Sequence, residues 1–246
     1  MYDPIRDGIE KSSGPVVYNE AKPPQELKSI VHNYWQLKTL APLNNNFTLH
    51  AIPDACINIL FNQKDTDTAG ITGLKTTYTE LDLGKDFDYV GVQFFPGVWQ
   101  GGSNETNDGF VGSKYLGKLP LISVNVKTAP LDFSDKLPVL TDLVSNLIEQ
   151  NILGKNRTVQ EILCHLDRIN SVSEMAEVVH QSPRQLQRTL KQATGFSPHD
   201  FLKVMRLQQS LKEHKVDLYA DQSHFIHSFK KITGYTPTQY FNKFDV

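Results

Sequence analysis

The chain has 246 residues, 39% of them hydrophobic and 21% charged, with a formal net charge of −2. That is long enough for two domains with separate cores, in the composition of an ordinary globular protein. No run of about 18 apolar residues is present, which excludes a membrane-spanning helix, and the opening MYDPIRDGIEKSSGP lacks the apolar centre of a secretory signal.

Cys56 and Cys164 stand far apart in apolar surroundings and read as reduced core residues of a cytosolic protein, not as a disulfide or a metal pair. The charge is unevenly spread. From Gly154 onward 13 Lys and Arg stand against 9 Asp and Glu, a surplus of +4, whereas the residues before it carry 12 against 18, or −6. Six of the eight histidines also fall in the later part. An acidic half joined to a basic half suggests a nucleic-acid contact on the C-terminal side. A surplus of this size is also common in domains that bind nothing, so charge gives only a direction.

In chain order, residues 1 to 22 are polar and read as an irregular arm. PPQELKSIVHNYWQL places Leu27, Ile30, Val31, Tyr34 and Trp35 at helical spacing behind prolines, which predicts a helix. From Phe47 to Pro96 the pattern changes to FTLHAI, CINILF, TTYTELDL and DYVGVQFF, short strand-like runs separated by turn residues. Strands at this spacing predict an antiparallel sheet folded on itself, as in small barrels. After Val126 the period becomes helical, first in LPVLTDLVSNLIEQN. NILGKNRT carries turn signals, so the predicted domains are 1–152 and 153–246. TVQEILCHLDRIN, VSEMAEVV, PRQLQRTLKQA and PHDFLKVMRLQQSLKEH then follow as short helices with tight connections, the pattern of helix-turn-helix domains. The expected fold class is α+β in two domains. The first is β-rich and barrel-like with flanking helices, and the second is all-α.

Within the second domain, Val172, Met175, Ala176 and Val179 form the inner face of one helix. Ser182 is the N-cap of the next and Pro183 its first residue. Leu186, Leu190 and Ala193 turn inward, leaving Arg184, Gln185, Gln187, Arg188 and Lys191 on the outer face. Arg pairs bidentately with guanine and Gln with adenine, so this face suits a major groove, and Lys191 suits a phosphate. Most polar helix faces read nothing; what distinguishes this one is its place as the second helix of a helix-turn-helix. The segment also recurs. At an offset of 39, Leu186 falls on Phe225, Leu190 on Phe229, Lys191 on Lys230, and Thr194, Gly195, Phe196 and Pro198 on Thr233, Gly234, Tyr235 and Pro237.

SPRQLQRTLKQATGFSP (Ser182 to Pro198) followed by YADQSHFIHSFKKITGYTPTQY (Tyr219 to Tyr240) resembles the AraC/XylS family of bacterial transcription regulators, over about the last 85 residues. The resemblance implies two helix-turn-helix units joined by a long helix, each placing its second helix in a major groove. Carried over by position, base-facing roles fall on Arg184, Gln185, Gln187 and Arg188 in the first unit, and on Gln222, Ser223, His224 and His227 in the second. PPQELKSIVHNYWQL, IPDACINILF and YVGVQFFPG are similar, more loosely, to the sensor domains that precede such regions in one branch of the family. The resemblance thus implies double-stranded DNA as partner, and allows a small-molecule effector, a homodimer and RNA polymerase besides. It places the protein in the bacterial cytoplasm.

The sequence departs from the family in two places. The offset lays Lys215 on Ala176, and a lysine does not fit a close helix crossing without turning outward. Between Arg206 and Tyr219 the chain is about ten residues short of the family, the length of one short helix. The second unit is therefore expected to be truncated, with its recognition helix near 221–232 lacking a support helix and DNA contacts coming mainly from the first unit. His227 also replaces the Arg188 of the first unit and makes weaker groove contacts. His180 stands at a turn where the family usually has a Gly able to take positive φ. The alternative reading is a degenerate relative that binds DNA poorly alone and acts through protein partners.

No phosphate loop, nucleophile elbow or paired catalytic carboxylate stands out, so neither an enzyme nor a cofactor is expected. His224 and His227 have the spacing to share a metal but lack a third ligand, and His50, Asp54 and Cys56 lack further histidines. No metal is expected at either place.

Overall fold

The computed structural model describes residues 2–11, 14–101, 106, 113–213 and 222–245. Its strands are β1 (Ile9–Glu10), β2 (Val16–Ala21), β3 (Val31–Thr39), β4 (Phe47–Ala51), β5 (Ile57–Asn62), β6 (Ala69–Ile71), β7 (Thr79–Gly84), β8 (Asp88–Phe94) and β9 (Phe244–Asp245). Its helices are α1 (Leu121–Thr128), α2 (Phe133–Glu149), α3 (Arg157–Cys164), α4 (Val172–Val178), α5 (Pro183–Thr194), α6 (Pro198–Glu213), α7 (Gln222–Thr233) and α8 (Pro237–Lys243). The fold is α+β, with a β-rich first half and a helical second half.

A five-stranded antiparallel sheet in the order β2-β3-β8-β5-β6 is faced by a separate two-stranded ribbon, β4-β7. Alternation along the strands sorts the side chains to two faces. Ile59, Phe61, Val90, Val92 and Phe94 pack against Leu121, Val124, Leu140, Leu143 and Leu147 of α1 and α2. Leu37, Leu60 and Tyr89 face Phe47, Leu49 and Leu83 of the ribbon. Gly91 has a specific role here, because a Cβ would lie 2.5 Å from the Trp35 ring on the neighbouring strand. Glycine lets the indole lie across β8, where its Nε1 donates to Asn58 Oδ1 at 3.0 Å.

Four sequence expectations need correction. The helix expected over Leu27–Trp35 is instead a single 3-10 turn at Gln25–Leu27 followed by β3. A register shift between Val31 and Asn33 puts Val31 and Tyr34, three residues apart, into the same core, while Trp35 and Leu37 face the other. A bulge in a strand buried on both faces thus reproduced a helical spacing. The segment before residue 22 is not an irregular arm. β2 forms the sheet edge, and β1 pairs with β9 at the opposite end of the chain. Cys56 is buried as expected, but Cys164 is exposed. The helical period also begins earlier than expected, at Leu121.

In the second half, α3 to α6 close around Val159, Ile162, Met175, Ala176, Leu186, Leu190, Phe201 and Met205. A second cluster joins Leu207 and Leu211 of α6 with Phe225, Phe229 and Ile232 of α7, Tyr240 of α8 and Phe244 of β9. Ile52 from the sheet half completes it, with Ile5 packed alongside. At 39 residues' offset α7 coincides with α5, and the starts of α8 and α6 coincide likewise. The helix corresponding to α4 would fall on Leu211 to Asp217. Its first residues belong to the end of α6, and 214–221 lie outside the described residues. Among the described residues, the apolar face of α7 is covered partly from the sheet half, by Ile52.

Candidate functional site

Helix α5 begins with a capping box. Ser182 Oγ accepts from Gln185 N at 3.3 Å, and Gln185 Oε1 accepts from Ser182 N at 3.0 Å. Pro183 takes the first position, where a missing N–H costs nothing. The helix ends at Gly195 with φ of 73°, in the left-handed region that glycine adopts freely. The turn before it is closed by Gln181 N donating to Ala176 O at 3.0 Å, with His180 at φ 51°. The expected positive φ is therefore present on a histidine, at some cost in strain. Ala176 and Met175 lie buried at the α4–α5 crossing.

All five outer-face residues of α5 are exposed: Arg184, Gln185, Gln187, Arg188 and Lys191. They are not equivalent. Gln185 is engaged in the cap through its Oε1, and Lys191 Nζ donates to Gly195 O at 2.7 Å. Arg184, Gln187 and Arg188 make no hydrogen bond or ion pair to the described residues, so their donors face solvent.

α7 repeats the local chemistry of α5. Thr233 Oγ1 donates to Phe229 O at 2.9 Å as Thr194 Oγ1 does to Leu190 O at 2.8 Å, and Gly234 takes φ 81°. Ser223 and His227 are exposed, whereas the side chains of Gln222 and His224 lie outside the described residues. Lys230 and Lys231 are exposed in the last turn. Unlike α5, α7 is held at its end by the sheet half. Tyr78 N donates to Ile232 O at 2.8 Å, and His50 is stacked on Tyr78 and on Phe244 with ring centroids 4.8 and 4.7 Å away. Burial pushes the His50 imidazole below its ordinary pKa, so it sits neutral in this aromatic setting.

A second feature lies between the five-stranded sheet and the β4–β7 ribbon, a cavity of about 140 Å³. Its walls are mostly apolar, with Trp35, Leu37, Leu49, Leu60, Leu83 and Tyr89 among them, and Asp7, Asp54 and Gln93 lie at its margin. A polar chain leaves it there. Gln93 Nε2 donates to Asp54 Oδ2 at 2.6 Å, and Gln93 Oε1 lies 2.6 Å from His32 Nδ1. His32 Nε2 is 2.8 Å from Asp3 Oδ1, and Asp3 Oδ2 accepts from Lys212 Nζ of α6 at 2.6 Å. Sequence reasoning missed Asp7, Gln93, His32 and Asp3 entirely. They converge from residues 3 to 93, and no local spacing connects them. Asp54 had been weighed only as a metal ligand.

Fold and site together define an α+β protein with a sheet-lined cavity and a helical half in which two helices with similarly closed C-terminal ends, α5 and α7, recur. Residues 19–103 match a family model described as a domain of unknown function, DUF6597. Among solved structures the chain is similar to ToxT from Vibrio cholerae, at 11% identity over 92% of this chain and 96% of that one, with a TM-score of 0.42. A likeness that loose has no bearing on function. No curated protein matches the chain.

Proposed function

We propose that the protein is a sequence-specific DNA-binding transcription regulator of the AraC/XylS kind, working in the bacterial cytoplasm. In this reading residues 153–246 bind DNA, and residues 1–152 sense a small molecule, mediate dimerisation, or both. RNA polymerase is a further partner.

The observation that carries it is the outer face of α5. Arg184, Gln187 and Arg188 stand exposed and unengaged on the second helix of a capped pair, with the side-chain types that read guanine and adenine edges. The repeated signature of the family frames that face. Gln185 and Lys191, tied to the helix ends, contribute less to base reading, and Lys191 serves a phosphate. In the second unit Ser223 and His227 are the described base-facing candidates, joined by position to Gln222 and His224, while Lys230 and Lys231 neutralise phosphates. Because α7 is anchored on Tyr78 and His50, the second unit serves mainly as packing and phosphate contact, and the first provides most of the specificity.

The test is capture of genomic fragments from the source organism at near-physiological salt, wild type beside Arg188→Ala. A small set of enriched sites is expected, lost or relaxed in the variant at a cost of about 1–3 kcal/mol per base contact. Affinity should fall steeply with salt, with a log–log slope near −0.9 for each phosphate neutralised. No enrichment from either protein would favour the second reading, a relative acting through protein partners, which the anchoring of α7 on the sheet half also supports.

A further inference from the structure

The cavity between the sheet and the β4–β7 ribbon is unusual for where its charges stand. Asp54 Oδ1 accepts from Cys56 N at 2.8 Å and its Oδ2 from Gln93 Nε2 at 2.6 Å. Asp7 Oδ1 accepts from Ile52 N at 3.0 Å. Both carboxyls are half-buried, and both line the cavity. Neither forms an ion pair with a Lys or Arg among the described residues. Two other charged groups line the same space, and both are committed. Arg6 lies over the Tyr18 ring at 5.6 Å and 3.8 Å from Asp245, and Lys75 is likewise engaged. The rest of the wall is mostly apolar and aromatic, with Asn58, Thr72, Thr77, Thr79 and Gln93 as its uncharged polar members.

Partly buried carboxylates without a cation carry a desolvation cost, which is met by protonation or by a partner charge. An anionic ligand would add a third negative charge to this end. A neutral ligand would leave the two acids as they are. A cation resolves the imbalance, because an ammonium donates charge-assisted hydrogen bonds to carboxylates while its apolar part packs on rings such as Trp35. The size is suited to one ring, since an apolar cavity of about 150 Å³ accepts benzene.

We propose that this cavity binds a small apolar amine, with its ammonium between Asp54 and Asp7 and its hydrocarbon part against Trp35, Leu37, Leu60 and Leu83. The inference rests on the reading of residues 1–152 as a small-molecule sensor and gives that sensor its ligand class.

The experiment is titration of the full chain at pH 8 with benzylamine, benzyl alcohol and benzoate, followed by ligand-observed NMR. Wild type is compared with Asp54→Asn, Asp7→Asn and Arg188→Ala, and circular dichroism confirms that each variant is folded. Benzylamine is expected to bind saturably and at least tenfold more tightly than benzyl alcohol, with benzoate weakest. Asp54→Asn and Asp7→Asn should each erode that preference, and Arg188→Ala should leave it intact. Preference for benzyl alcohol or benzoate, or an amine preference that survives both carboxyl variants, overturns the ligand class while leaving a sensor in place. Binding of none of the three overturns the sensor reading of this cavity as well. The DNA reading is tested separately by the capture assay, so the two fail independently.

Discussion

At Asp7, burial together with the charge of Asp54 pushes the carboxyl up to about 7, and burial pushes Asp54 up to about 6. Both values lie above the ordinary 3.8, so each group takes its proton more readily in the folded chain than in the unfolded one. Between about pH 4 and pH 7 the folded state therefore holds the extra protons, and stability falls as pH rises through that window. Asp3 runs the other way. Burial alone would raise it, but hydrogen bonds to Lys212 and His32 outweigh burial and hold it at about 2, so its contribution is present at neutral pH and lost in strong acid. Asp7→Asn keeps the shape and the acceptor for Ile52 N while removing the charge. It should stabilise the ligand-free protein at pH 8 by about 1–3 kcal/mol, or several degrees in melting temperature, and have little effect near pH 4.5. Thermal melts at the two pH values check this, and an equal effect at both would show that the ionised carboxyl is not the source of the cost.

Among the elements, the helices α2 to α7 were legible in the sequence because each carries its own amphipathic pattern. Ser182 and Pro183 mark the start of α5 where they were read, and α7 lies at Gln222–Thr233 against an expected 221–232. The sheet half was less legible. β3 is buried on both faces and bulged, so its apolar spacing imitates a helix, and β1 is defined by a partner 236 residues away, Ile9 against Asp245. The outer face of α5 could be read in advance, whereas the cavity, assembled from distant strands, could not. The repeat also hides an asymmetry that only packing reveals. A Cβ on Gly195 meets nothing within 4 Å, but one on Gly234 meets the Tyr78 ring at 2.9 Å. Both glycines have positive φ, so alanine at either costs about 1–2 kcal/mol in backbone strain. Gly234→Ala should cost measurably more than Gly195→Ala in urea unfolding, because it also displaces Tyr78 from the end of α7. Equal costs would mean that the sheet half does not brace the second unit.

Across the whole molecule, the acidic first half and the basic second half meet in specific pairs. Asp3 bonds Lys212 at 2.6 Å, and Glu10 lies 3.1 Å from Lys243. Exposed pairs like these contribute little stability, usually under about 1 kcal/mol. Their placement says more than their strength. Lys212 lies at the end of α6, the helix that joins the two repeated units. Through Asp3, His32 and Gln93 it is connected to Asp54 at the cavity wall. A ligand that engaged Asp54 would compete for the carboxylate that Gln93 donates to, and the bonds of Gln93 to His32 and of His32 to Asp3 are the route by which a shift would travel. An effector works only through its different affinity for two states, and such couplings usually amount to a 5–150-fold change in the second affinity. In Asp3→Ala the cavity and the outer face of α5 are untouched, so amine binding and ligand-free DNA binding should both persist. The factor by which benzylamine changes DNA affinity should fall toward one. Fluorescence anisotropy on a captured site, with and without the amine, measures that factor directly. If it were unchanged in Asp3→Ala, coupling would have to run through the apolar contacts of Ile52 with α6 and α7 instead, and Ile52→Ala would become the variant that breaks it.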